Sequence, residues 1–444
     1  MRGARREWPG RIAYPSVRAE GAPGAIMAAM TPFRAPDRSV SSARGPCART
    51  VRILAPATLV LALLVPGPSF ADRRPKTVFR SQPIEWNADL DEGQAPMTLV
   101  FTPAWTWSGF AAPLAGDPVD VLGTIVAAAR DGTIAALRPN GGEVAWKASV
   151  GAPLTVGPAT DGTLVFLATA SGRVLALKGG DGLPAWSADL PSGPAVPIRV
   201  IGRRLLIGTL DGTLHSIDTG SGRIEARQDL PGRPSTTPEP APGSILIGTD
   251  HGVVLALDEA SLAPAWTHTA GPAITSPPVH DRGRVYFTAA DRTIRSLHFR
   301  SGRRVWTTRT GAICSVRPIP HDPYLYVLSY DNDIYVLNKR NGHQLTRIRM
   351  GHRLDSEPAA TSDHLLIVPF TEATVVGLSL PRLRKVGQFA LDVPGEWFTT
   401  APLLIEGRVA LGFGRDEGKI LALNMAEKVE ESAAPPAVPA GPAP

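Results

Sequence analysis

Short apolar runs recur along the chain at a fixed interval, each framed by turn residues. TIAAL (Thr133–Leu137), RVLAL (Arg173–Leu177), TLHSI (Thr213–Ile217), VVLAL (Val253–Leu257), TIRSL (Thr293–Leu297) and DIYVL (Asp333–Leu337) follow one another forty residues apart. A tight-turn pair precedes each: Asp131-Gly132, Ser171-Gly172, Asp211-Gly212, His251-Gly252, Asp291-Arg292 and Asp331-Asn332. Two looser copies, TVVGL (Thr374–Leu378) and KILAL (Lys419–Leu423), end the series and make eight. Behind the runs comes a second turn, with Gly at 142, 182, 222, 302 and 342 and Leu262 where one is missing. A tryptophan position follows the same beat and reads Trp146, Trp186, Ala226, Trp266, Trp306, Thr346.

Each unit reads as four short strands; in the second they are LTVGPAT, TLVFLAT, RVLALK and PAWSADL. The Asp-Gly pairs suit tight hairpins that need positive φ. Runs such as LLIGT and VYFTA lack clean alternation, as expected of strands buried on both faces. Four-stranded units of this period predict an all-β fold, a single β-propeller of eight four-stranded blades. One blade cannot bury both faces alone, so blades pack side by side around a ring. The recurring Trp is then a wedge between blades, assigned to Trp146, Trp186, Trp266 and Trp306. No Trp-bearing strand follows the eighth copy. PIEWNADL, through Trp86, is expected to supply it as an N-terminal strand that closes the last blade and removes an exposed edge. Seven blades stay open as the alternative, because the segment from Gln94 to Val121 fits the period poorly.

The ends of the chain read differently. Arg49 and Arg52 precede the apolar run Ile53–Val65, then Pro66-Gly67-Pro68 and the small-residue site Ser69-Phe70-Ala71. That order is a secretory signal peptide, with cleavage expected after Ala71 and no transmembrane anchor after processing. Residues 1–29 are superfluous for export, and Met27 or Met30 is an alternative start. The expected organisation is a leader over 1–71, a linker over 72–85, the propeller over 86–425 and a disordered Pro/Ala-rich tail over 426–444.

The formal charge of +6 changes meaning once the leader is set apart, because residues 1–71 carry a net +7 and leave −1 for the rest. A near-neutral mature domain has no overall field to steer polyanions, so nucleic acid is excluded as a partner. Cys47 leaves with the leader. Cys314 is then the single mature cysteine, a small buried apolar residue with no disulfide partner.

The pattern in LRPNGGEVAW, LKGGDGLPAW, LDEASLAPAW and LHFRSGRRVW resembles the tryptophan-docking repeat of PQQ-like, or quinoprotein-type, β-propellers. The resemblance covers roughly Trp86 to Met425. The family includes quinone-dependent dehydrogenases and scaffolds of outer-membrane β-barrel assembly. The dehydrogenases typically carry a carboxylate/amide set around calcium and a vicinal Cys-Cys pair, and this chain has no Cys-Cys. The resemblance therefore implies a non-enzymatic exported scaffold in the cell envelope, monomeric and without cofactor. Its partner would be an envelope protein such as the barrel-assembly machinery. Where the scaffolds are lipoproteins, no Cys follows the apolar run here. The alternatives are a soluble periplasmic ligand-binding propeller and a quinone-dependent dehydrogenase.

Other chemistry is thin. No H-E-x-x-H or G-x-S-x-G occurs, and GRDEGK (Gly414–Lys419) is a hairpin turn rather than a phosphate loop. SYDNDIY (Ser329–Tyr335) could bind calcium, but Asp and Asn are ordinary turn residues. Two features mark a candidate partner surface. One is an arginine-dense sector with Arg292, Arg295, Arg300, Arg303, Arg304 and Arg340, suited to an acidic protein segment or anionic headgroups. The other is the aromatic pair Trp105 and Trp107, a candidate anchor whose plainer reading is core packing.

Overall fold

The computed structural model describes residues 97–369 and 373–429. Strands forty residues apart form eight four-stranded antiparallel sheets, the blades of one propeller. Blade 1 runs through Val119–Val121, Thr124–Ala128, Thr133–Leu137 and Val144–Ser149. Blades 2 to 7 repeat this inner-to-outer order, and blade 8 opens with Leu403–Ile405, Arg408–Phe413 and Lys419–Val429.

Burial follows position in the blade. Second strands such as Leu205–Gly208 are sealed on both faces, whereas outer strands such as Pro184–Asp189 alternate between exposed and half-buried. Eight apolar clusters among the described residues each join two neighbouring blades. Val126, Ile134 and Trp146 of blade 1 meet Val165, Leu167 and Leu177 of blade 2 in one of them. The core is thus a ring of interfaces, which explains why no blade stands alone.

The structure moves the closing strand. Blade 8 is completed by Met97–Ser108, which pairs antiparallel with Lys419–Val429 from Met97↔Val429 to Ser108↔Lys419. PIEWNADL and Trp86 lie outside the described residues, as do the leader and the linker. The fourth place in the sheet is filled without them. Lys419–Val429 runs past Met425, so residues 426–429, read from sequence as the start of a tail, are strand. Leu99 of the closing strand packs over Gly387, the residue of blade 7 that sits at the tryptophan position opposite Gly377.

The docking geometry explains the displacement. Trp146 Nε1 donates to Gly179 O at 2.7 Å, Trp186 to Thr219 O at 2.7 Å, Trp266 to Phe299 O at 2.6 Å and Trp306 to Lys339 O at 3.1 Å. Each indole lies flat over the turn glycine of the next blade. Trp105 does the same, donating to Pro139 O at 2.8 Å across the blade 8 to blade 1 interface. A Cβ on Gly142 would stand 2.6 Å from its ring, so the site demands Gly for space as well as for its φ of 75°.

Candidate docking surface and axial cleft

Antiparallel connectivity sorts the turns. The connections between strands one and two and between strands three and four share one rim. The connections between strands two and three, and from blade to blade, share the other. Arg300, Arg303 and Arg304 lie on or beside the last turn of blade 5, and Arg340 occupies its counterpart in blade 6; all four are exposed on the first rim. The turns themselves are backbone-locked, with His298 N donating to Arg303 O at 2.8 Å and Arg340 N to Asn338 Oδ1 at 2.9 Å. The guanidiniums therefore project from a rigid base.

Two arginines of the sequence-derived set fall elsewhere. Arg292 sits at φ 63° in the turn between the second and third strands, on the opposite rim. Arg295 is buried, with Nη2 2.6 Å from Asp291 Oδ2 and Nη1 donating to Ala270 O at 2.7 Å; it joins two blades and is no docking residue. Lys339, adjacent to the strip, is also buried, with Nζ 2.6 Å from Asp281 and 2.8 Å from Asp322. Arg382 and Arg384 carry the basic rim into blade 7, where both are exposed. The looser seventh repeat hid them, although a count from Leu378 to the next turn would have found them.

The aromatic pair packs inward as well. Trp105 is the blade 8 docking tryptophan. Trp107 stacks edge-on to buried Phe110 with centroids 4.9 Å apart, and Lys147 of blade 1 lies 5.1 Å from its ring. The Asp-rich turn holds its own partners: Asp333 is buried between Arg347 at 3.1 Å and Arg349 at 3.3 Å, and Tyr335 donates to Asp331 at 2.5 Å. Cys314 is buried, and its thiol is pushed up to about 11, mainly by loss of hydration.

The residues on the axis also keep the forty-residue beat, with Arg199 forty before Glu239 and Arg317 forty before Glu357. Arg199 Nη2 stands 3.2 Å from Glu239 Oε2, and Arg317 reaches Glu239 at 3.3 Å and Glu357 at 3.0 Å. Blades 3, 4, 6 and 7 are thereby tied across the central channel. Burial raises the Glu239 carboxyl above its ordinary range, with Arg317 and Arg199 opposing the shift and Glu357 adding to it. Beside this network a cleft of about 400 Å³ is lined by Asp117, Asp355, Glu357, Val368, Trp397 and Phe398 among others. It opens among the blade-to-blade connections, on the rim opposite Arg303.

Comparison with known proteins places the fold. The family described as outer membrane protein assembly factor BamB matches residues 130–225 and 210–349. No curated protein matches the chain. Among solved structures, BamB from Moraxella catarrhalis superposes with a TM-score of 0.62 at 18% identity, covering 73% of this chain and all of that one. The computationally designed Ika8 protein gives 0.62 at 15%, covering 72% of this chain and 99% of its own. Quinohemoprotein alcohol dehydrogenase from Comamonas testosteroni gives 0.57 at 11%, covering 76% and 78%. The chain is an eight-bladed β-propeller that resembles the PQQ-like class and, within that class, BamB.

Proposed function

We propose that this propeller is an exported, non-enzymatic scaffold of the cell envelope, BamB-like in outer-membrane protein assembly. It would dock an acidic segment of a partner protein on the rim carrying Arg300, Arg303, Arg304 and Arg340. The observation that carries this reading is the convergence of those four exposed guanidiniums on one rim of two adjacent blades. Guanidinium groups on rigid turns recognise carboxylates in pairs and at low ordering cost. The BamB family match supports the assembly context, and the signal-peptide pattern supports export.

Reversing Arg303 and Arg304 to Glu tests it. The double variant should lose envelope partners in pull-down, mainly through a slower association rate, and added salt should reproduce the loss in the native protein. Its melting temperature should hold, since exposed charges seldom contribute more than about half a kcal/mol to stability. Capture of the same partners with the same salt dependence would leave the rim without a docking role.

A quinone is a poor fit to this axis. Pyrroloquinoline quinone is a tricarboxylate, and the axial cleft presents Asp117, Asp355 and Glu357. Cys314 is buried and has no cysteine beside it in the sequence, so it cannot form the vicinal pair found in the dehydrogenases. These residues favour the scaffold over the dehydrogenase reading.

A further inference from the structure

The axial cleft differs in chemistry from the basic rim and lies on the other side of the molecule. Its walls combine Val368, Pro369, Trp397 and Phe398 with the carboxylates. Trp397 belongs to the connection between Ala390 and Leu403, which is longer than the other blade-to-blade connections of the ring. Loops that exceed what a repeat requires are common carriers of binding residues.

The charges in and beside the cleft do not cancel. Asp117, Asp355, Glu357 and Glu239 face three guanidiniums. Arg199 is 3.2 Å from Glu239, Arg317 lies between Glu239 and Glu357, and Arg353 stands 3.7 Å from Asp355 while stacking on Tyr330. Among these described residues the carboxyl groups outnumber the guanidiniums by one. Among the described residues Asp117 makes no ion pair, and its Oδ1 accepts from Ala401 N at 2.8 Å. Asp117 is an exposed residue of the lining. Burial raises the Asp355 carboxyl, against the opposing charge of Arg353. The Ser356 hydroxyl, in the same lining, is sealed from solvent and has no hydrogen-bond partner. A surplus of carboxyl groups beside apolar and aromatic walls is complementary to a monocation on a short apolar stem.

We infer that the cleft between Asp117, Asp355 and Trp397 binds an alkylammonium or alkylguanidinium group. The cation would pair with the carboxylates while its stem lies along Trp397 and Val368. Such a group could belong to a free small amine or to a lysine or arginine side chain of a peptide. The site is separate from the arginine rim, so its fate does not depend on the scaffold reading.

Calorimetric titration of the intact chain with n-butylguanidinium tests the inference, with butyrate as the anion of equal stem. Saturable one-to-one binding of the cation, and none of butyrate, is expected. Asp117→Asn and Asp355→Asn should each weaken it about tenfold, the usual worth of a hydrogen bond to a charged group. Asn at 117 keeps the acceptor for Ala401 N–H, and a matched melting curve certifies each variant. A parallel titration with a blocked Ala-Arg-Ala peptide separates the sources: tighter peptide binding assigns a protein side chain, and exclusion of the peptide assigns a free amine. Absence of saturation, equal binding of butyrate, or unchanged affinity in both folded variants overturns the inference.

Discussion

Leu262 stands in the left-handed region at φ 60°, where five of its counterparts are glycines, and it is completely buried. The same interface lacks the docking tryptophan, because Ala226 occupies that place, and both residues share one apolar cluster. The leucine fills the volume that the missing indole vacates. The exchange occurs a second time, with Thr346 at the tryptophan position and buried Leu383 at φ 55° in the next turn. Filling a cavity evidently outweighs about 1 kcal/mol of backbone strain. Leu262→Gly alone should therefore destabilise by about 3 kcal/mol, and Ala226→Trp alone should overpack. The double variant restores the pairing found elsewhere and should recover most of the loss, measured as a coupling energy in denaturant unfolding. Additive losses in the double variant would refute the exchange.

At the scale of the element, the turns before the outer strands are held by carboxylates. Asp218 Oδ1 accepts from Ser221 N at 2.8 Å and Ser221 Oγ at 2.7 Å, and Asp258 treats Ser261 the same way at 2.9 and 2.7 Å. These hydrogen bonds to serine hold both carboxyls below the ordinary value of 3.8. A depressed folded value means stability present above the unfolded pKa and lost as pH falls through the folded one. Wild type should lose more stability than Asp218→Asn/Asp258→Asn on acidification from about pH 5 to about pH 3. Equal losses in paired urea titrations would show that the turns do not depend on the charge. Turn chemistry of this kind was legible, because the forty-residue beat marks each hairpin. The closing strand was not. It lies more than three hundred residues from its ladder partner, and the connection from Ser108 to Val119, one residue longer than that from Ser149 to Ala159, takes its tryptophan off the beat. Trp86 satisfied the local pattern equally well, and only three-dimensional pairing separates the two.

Across the whole molecule, charge is divided between rims in a way composition conceals. The arginine density was visible in the sequence. The separation of Arg303 from Arg292, and the burial of Arg295 inside a doubly packed strand, depend on which connection carries each residue. Asp117, Glu357 and Trp397 share one place in the forty-residue beat, but which repeats face one another at the cleft is fixed only when the ring closes. The division also governs which cofactors the ring can accept. Adding pyrroloquinoline quinone with calcium should leave the melting temperature unchanged, because a ligand bound only by the native state must raise it. A rise of several degrees at micromolar quinone would restore the dehydrogenase reading.

The ladder that closes blade 8 also sets how the ring would respond to load. Met97 lies opposite Val429, so the chain enters and leaves the propeller at the same end of one strand pair. Tension between the two chain ends would act across that pair, not along it. The ring would then unzip from this end, one backbone hydrogen bond after another, instead of resisting in shear. Its mechanical weak point then coincides with its topological seam.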